Sequence, residues 1–379
     1  MSTHPEIHVL ETTIGGAKRA RHGYELDDLS LAPSKRTRAV ELVDVAWKLD
    51  AYRFGLPVLS APLDAVTSPA TAGLLGELGG LGVLNLEGLW TRYEDPTEVL
   101  GEISRLQPGP DATVRLQQLY DEPVKPELIG RRVEELKAAG TLAAGSLTPG
   151  KVERYHGAAL EAGLDLLVVQ GVVVTAQTVS TEDTEPLDLK SFTARYDIPV
   201  VVGGVASHRS ALHLMRTGAV GVLVGMGASS VSTTEAALGI HVPLATALAE
   251  VASARSRYLE ESGRYVQVIA SGGLRTGGDL AKAIACGADA LMLGRALAGA
   301  EEAPGRGSYW GLSAAHHTLP RGRYDHVETL GTLAEILEGP AHRDDGTVNL
   351  VGGLRRSMGV LGYESLSRMH QADLVLRSH

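Results

Sequence analysis

Short apolar runs recur along the chain, separated by longer stretches with helical periodicity. The runs are Leu56–Ala61, Leu81–Leu84, Leu142–Gly145, Leu166–Val169, Pro199–Gly203, Val220–Val224, Val266–Ala270 and Ala290–Leu293. Each is apolar at successive rather than alternate positions. That is how a strand covered on both faces of a parallel sheet reads. The junctions repeat as well. EAGLDLLVV, RTGAVGVLV and ACGADALML each run from a helix end through a glycine into a strand. Gly163, Gly218 and Gly287 therefore stand where a left-handed helix cap is expected. Thr148-Pro149 reads as a helix start, and Ser207 as the cap of a helix running to about Arg216. Eight strand–helix units with short turns predict a (β/α)8 TIM barrel, with an open doubly wound sheet as the rival.

Three segments exceed the minimal barrel. Residues 1–52 precede the first strand and are expected to wrap or plug the barrel base. Residues 89–147 are long and carry five prolines, yet lack room for an inserted domain. Residues 300–350 follow the eighth strand, are polar and Gly-rich, and are expected to form a lid or flap. The whole of 1–379 is read as one domain, with strands from about 56 to 294.

Composition narrows the function. A net charge of −10 leaves no long-range attraction for a polyanion, so nucleic acid is not expected as a partner. No apolar stretch is long enough for a membrane span, and the first residues have no signal-peptide core. A cytoplasmic protein is expected. Cys286 is the single cysteine, so an internal disulfide and a Cys-rich metal site are excluded. His316, His317 and His326 fall in the flap without metal-ligand spacing.

Active sites in this fold lie at the C-terminal strand ends. Strands six, seven and eight end in Gly225-Met226-Gly227-Ala228-Ser229-Ser230, Ser271-Gly272-Gly273 and Gly294-Arg295. Glycine lets backbone N–H groups approach a phosphate closely. One such turn would read as a tight connection only. Three on adjacent strands point to a phosphate-bearing small molecule.

These stretches also resemble the IMP dehydrogenase/GMP reductase family. YELDDLSLAPS resembles its opening segment, and PVLSAPLDAVT and GGLGVLNLEGL its first two strands. VGMGASSVSTTEAALGIHVPLATAL, at 224–248, is similar to its catalytic loop. VIASGGLRTGGDLAKAIACGADALMLGRALAGAEEAPG, at 268–305, is similar nearly residue for residue, and GGLRRSMGVLGYESL resembles the closing segment. The likeness is nearest to the short, IMP dehydrogenase-related branch that lacks the CBS pair.

The resemblance implies an oxidoreductase of GMP biosynthesis. It implies a purine nucleoside monophosphate (IMP, XMP or GMP) as ligand and NAD as cofactor. A monovalent cation such as K+ on the carbonyls of Gly225, Gly227 and Ser232, and a homotetramer or octamer, are implied too. Ser230, Gly272, Gly273, Gly294 and Tyr309 match its phosphate grip. Thr234 matches the threonine that helps activate water, and Arg323-Tyr324 a pair whose arginine serves as base. Departures cluster at the reacting end. The family's nucleophilic cysteine reads Ser232, its ribose-binding aspartate Ser271, its NAD-side aspartate Gln170, its Gly-Asn Gly203-Gly204, and its Gly-Ser Gly294-Arg295. A thiol of pKa about 8.5 gives a few per cent thiolate at neutral pH, whereas an unaided serine gives almost none. Very weak or absent IMP dehydrogenase turnover is therefore expected. The alternatives are a catalytically silent nucleotide-binding or regulatory homolog, and a GMP reductase-like enzyme with an altered substrate.

Overall fold

A computed structural model describes residues 11–33, 35–177, 186–226, 228–312 and 322–377. The eight apolar runs form eight parallel strands: β1 Val58–Ser60, β2 Val83–Asn85, β3 Ala144–Leu147, β4 Leu166–Gln170, β5 Val200–Val205, β6 Gly221–Val224, β7 Gln267–Ser271 and β8 Ala290–Leu293. From β2 to β8 each pairs with its chain neighbour, and β8 returns to pair with β1. The β1–β2 seam closes through a parallel bridge between Leu59 and Leu81. There Ser60 N donates to Leu81 O at 3.0 Å and Leu81 N to Val58 O at 2.9 Å. The sheet is thus a barrel rather than the open rival.

Eight helices follow the strands in turn: α1 Pro69–Glu77, α2 Pro126–Ala138, α3 Val152–Glu161, α4 Leu189–Arg195, α5 His208–Met215, α6 Leu244–Ser262, α7 Gly277–Ala285 and α8 Leu350–Leu361. Local chemistry sets their ends. Ser207 Oγ accepts from Ser210 N, capping α5 as its sequence predicts. Pro149 opens a short 3-10 turn that runs into α3, although the Thr148 side chain makes no capping bond. Gly163, Gly218 and Gly287 all take positive φ, of 83°, 98° and 109°. An L side chain strains there, and glycine does not.

The extra segments do more than the pattern suggests. Trp47–Leu49 and Tyr52–Phe54 form a hairpin under the barrel, with Leu49 beside the start of β6 and the Trp47 indole donating to Leu56 O at 2.8 Å. That is the expected basal plug. The same N-terminal segment, however, also reaches the opposite rim through Glu25, Leu26 and Asp27. Residues 89–147 add two helices, Thr97–Ile103 and Pro110–Leu119, before α2. After β8, Ser308–Trp310 pairs antiparallel with Tyr324–His326, and a capped helix, Leu333–Glu338, buries Leu333, Ile336 and Leu337. Much of the expected flap is therefore anchored structure.

Candidate functional site

Glycine determines the shape of the rim above β6 and β7. Gly225 has φ 145°, and a Cβ on it would lie 1.9 Å from Ser271 O. Only an unsubstituted backbone lets these strand ends approach so closely. Gly272 and Gly273, at φ 95° and 73°, turn the chain away from β7. A Cβ on Gly294 would come 2.6 Å from the Tyr309 hydroxyl, so the hairpin ring sits directly against the end of β8.

Above these turns lies one cavity of about 760 Å³. That is ample for a nucleotide-sized ligand. Ser230, Ser232, Thr234, Ser271, Gly272, Gly273, Gly294, Arg295, Tyr309, Gln170 and Gly225 all line it. Gly204, Arg323 and Tyr324 do not line it. Gly204 sits behind the wall, where a Cβ would come within 2.8 Å of Gly225 O and 3.0 Å of Val172 O. The side chain of Tyr324 is buried, with its hydroxyl bonded to Ser308 Oγ at 2.7 Å and to Ile103 O at 2.8 Å. Arg323 is exposed, and its backbone N–H donates to Val231 O at 2.9 Å. Gly227, His316 and His317 lie outside the described residues.

The loop after β6 is held by its own hydroxyls. Ser232 Oγ donates to Thr234 Oγ1 at 3.0 Å and accepts from Thr234 N at 3.2 Å, while Ser232 N donates to Ser229 O at 2.9 Å. No carboxylate or imidazole among the described residues bonds to Ser232. The nearest in sequence, Glu235, is exposed. Burial raises the Tyr309 pKa, partly offset by its hydrogen bond to Ser229 and by the Arg295 charge. Arg295 does not point freely into the cavity. Its Nη1 lies 2.7 Å from Asp325 Oδ2 and 3.2 Å from Ser230 Oγ, and its Nη2 lies 3.3 Å from His326 O. Cys286 caps the far end of α7, where burial pushes its thiol up to about 11. It is a packed thiol and no substitute nucleophile.

Among the cavity residues that the sequence reading does not predict are Glu25 and His241. Glu25 accepts from Leu244 N at 3.0 Å and lies 2.7 Å from His241 Nε2, stapling the N-terminal segment to the start of α6. Both residues fall inside stretches that carry the resemblance, but no local spacing joins positions 25 and 241.

The model of the IMP dehydrogenase / GMP reductase domain matches residues 23–379. The chain belongs to this family. It is 48% identical over 374 residues to an uncharacterized oxidoreductase of Mycolicibacterium smegmatis, covering 96% of this chain and 99% of that one. It is 26% identical over 388 residues to an inosine-5'-monophosphate dehydrogenase of Cryptosporidium parvum, covering 93% and 92%. A crystal structure of an IMP dehydrogenase/GMP reductase-like protein from Corynebacterium glutamicum superposes with TM-score 0.92 at 41% identity, covering 97% of this chain and 98% of that one. Among the described residues, no helix is long and apolar enough to cross a membrane.

Proposed function

We propose that this family member binds a purine nucleoside monophosphate and turns over IMP with NAD very weakly or not at all. The phosphate rests on the backbone of Gly272, Gly273 and Gly294, with Ser230 beside it. The observation that carries the second half is the state of Ser232. Its hydroxyl is committed to Thr234, and among the described residues no base is hydrogen-bonded to it. A hydroxyl without a base does not replace a thiolate. The positions aligned with the NAD side do not supply the expected acceptors either. Gly204 has no room for a side chain, and Gln170 brings a neutral carboxamide whose buried Oε1 has no partner among the described residues. No hydride step is therefore assigned to this chain. Both family reactions would begin at the residue that Ser232 replaces, which favours a silent nucleotide-binding protein over a GMP reductase-like enzyme.

With IMP and NAD, the purified protein should give no rise in absorbance at 340 nm above background. Turnover at ordinary enzyme rates would refute the silent site. IMP, GMP or XMP should raise the melting temperature, because a ligand that binds only the folded state stabilises it. No shift with any of the three would remove the phosphate cradle.

The paired change Ser232→Cys with Ser271→Asp restores the thiol and the ribose-binding carboxylate. Hydride transfer to NAD orders of magnitude above the parent would mark a decayed but otherwise competent site, kept modest by the NAD-side positions Gly204 and Gln170. Continued silence, with nucleotide binding retained, would show that the pocket itself is remodelled.

A further inference from the structure

Arg295 occupies an unusual place. It follows Gly294 on the cavity wall, yet its guanidinium is engaged on the hairpin side by Asp325 and His326 O. The same Nη1 also reaches Ser230 Oγ, the hydroxyl beside the phosphate turns. One cation thus serves both the anion site and the hairpin Ser308–Trp310/Tyr324–His326. We propose that Asp325 is the resident anion of this site, and that an entering phosphate displaces it from Arg295 and uncouples this end of the hairpin. This rests on the phosphate reading above and assigns that site its regulation.

Charge and exposure favour the exchange. Both side chains are about one-third or more open to solvent, at 34% for Arg295 and 42% for Asp325. Ion pairs this exposed are weak and easily broken. A phosphate monoester carries up to two charges against one, and it gains the backbone donors of the glycine turns as well. The hairpin does not depend on the pair to stay folded. Trp310 Nε1 donates to Tyr120 Oη at 2.9 Å, and the Tyr324 hydroxyl is held between Ser308 and Ile103 O. Asp325 can therefore let go while the base of the hairpin stays in place.

The alternative is that Asp325 only buttresses Arg295, in which case losing it disorders the cation and weakens binding. Calorimetric titration with IMP, and separately with inorganic phosphate, tells the two apart. Asp325→Asn keeps the shape and the acceptor for His326 N but removes the competing charge. It should tighten both ligands about fivefold, the equilibrium equivalent of a surface ion pair. Arg295→Ala should weaken both, and the double variant should show no tightening relative to Arg295→Ala. In the parent, binding should speed amide exchange at His326, because Asp325 leaves its place beside that amide. Equal or weaker binding by Asp325→Asn overturns the proposal while leaving the phosphate site standing. Absence of binding by every variant, the parent included, overturns the phosphate reading itself and the latch with it.

Discussion

Gly225→Ala should destabilise the protein by about 3 kcal/mol and abolish its thermal response to purine monophosphates. The new methyl would lie 1.9 Å from Ser271 O, and φ at this position is 145°. Neither conflict relaxes locally. Gly225 N is bonded to Val205 O at 3.2 Å, and the Ser271 carbonyl belongs to the end of β7. Relief requires β6 and β7 to part, which opens the floor of the cavity beneath Ser232 and Gly272. Gly278→Ala supplies the contrast. It lies in α7, where a new Cβ would come no closer than 3.7 Å to its nearest neighbour, Thr276 Oγ1, so the change should be neutral or slightly stabilising. Chemical denaturation of the two variants, with and without IMP, reads both effects. Similar stabilities for the pair would mean that the close approach of β6 and β7 is not rigid.

The contrast shows what kind of information a sequence holds. Strand runs and helix-end glycines are local signals: Leu166–Val169 is apolar throughout, and Gly163 needs only its own φ to be understood. All eight strands and the three glycine caps are legible for that reason. The phosphate turns are legible too, because three glycine-rich strand ends are required to be neighbours once the barrel is assumed. What escapes is pairing across distance. Nothing near Arg295 shows that Asp325, thirty residues later, holds it. Nothing near Glu25 shows that it meets His241. Tyr324 illustrates the opposite failure. A two-residue match places it in the chemistry, whereas the structure spends its hydroxyl on Ser308 and Ile103 O, under the hairpin. The anchoring of the described parts of the flap escapes for a similar reason. Its polar, Gly-rich composition hides Trp310, Tyr324, Ile336 and Leu337, which bury and anchor it.

Asp64 should give a large pH effect between pH 4 and pH 7. It follows β1 and is almost wholly buried, at 1% exposure. Tyr120 Oη, Leu89 N and Asn85 Nδ2 donate to its Oδ2, and Trp310 Nε1 donates in turn to Tyr120. Its Oδ1 has no partner among the described residues. Burial outweighs these bonds and lifts the carboxyl to about 6. A carboxyl raised on folding binds its proton more tightly in the native state than in the unfolded chain. Its favourable contribution is therefore complete below about pH 4, the unfolded value, and is lost as pH rises through about 6. A shift of about two units corresponds to about 3 kcal/mol. Asp64→Asn keeps an oxygen for Tyr120 and Leu89 but cannot ionise. Relative to the parent, it should gain about 3 kcal/mol in stability between pH 4 and pH 7, measured by denaturant unfolding across that range. Because Trp310 belongs to the hairpin, its fluorescence in the parent should follow the same titration, while the variant stays flat. A parent-minus-variant difference that does not change with pH would mean that Asp64 is ionised throughout, its charge held by Tyr120, Leu89 and Asn85 despite the burial.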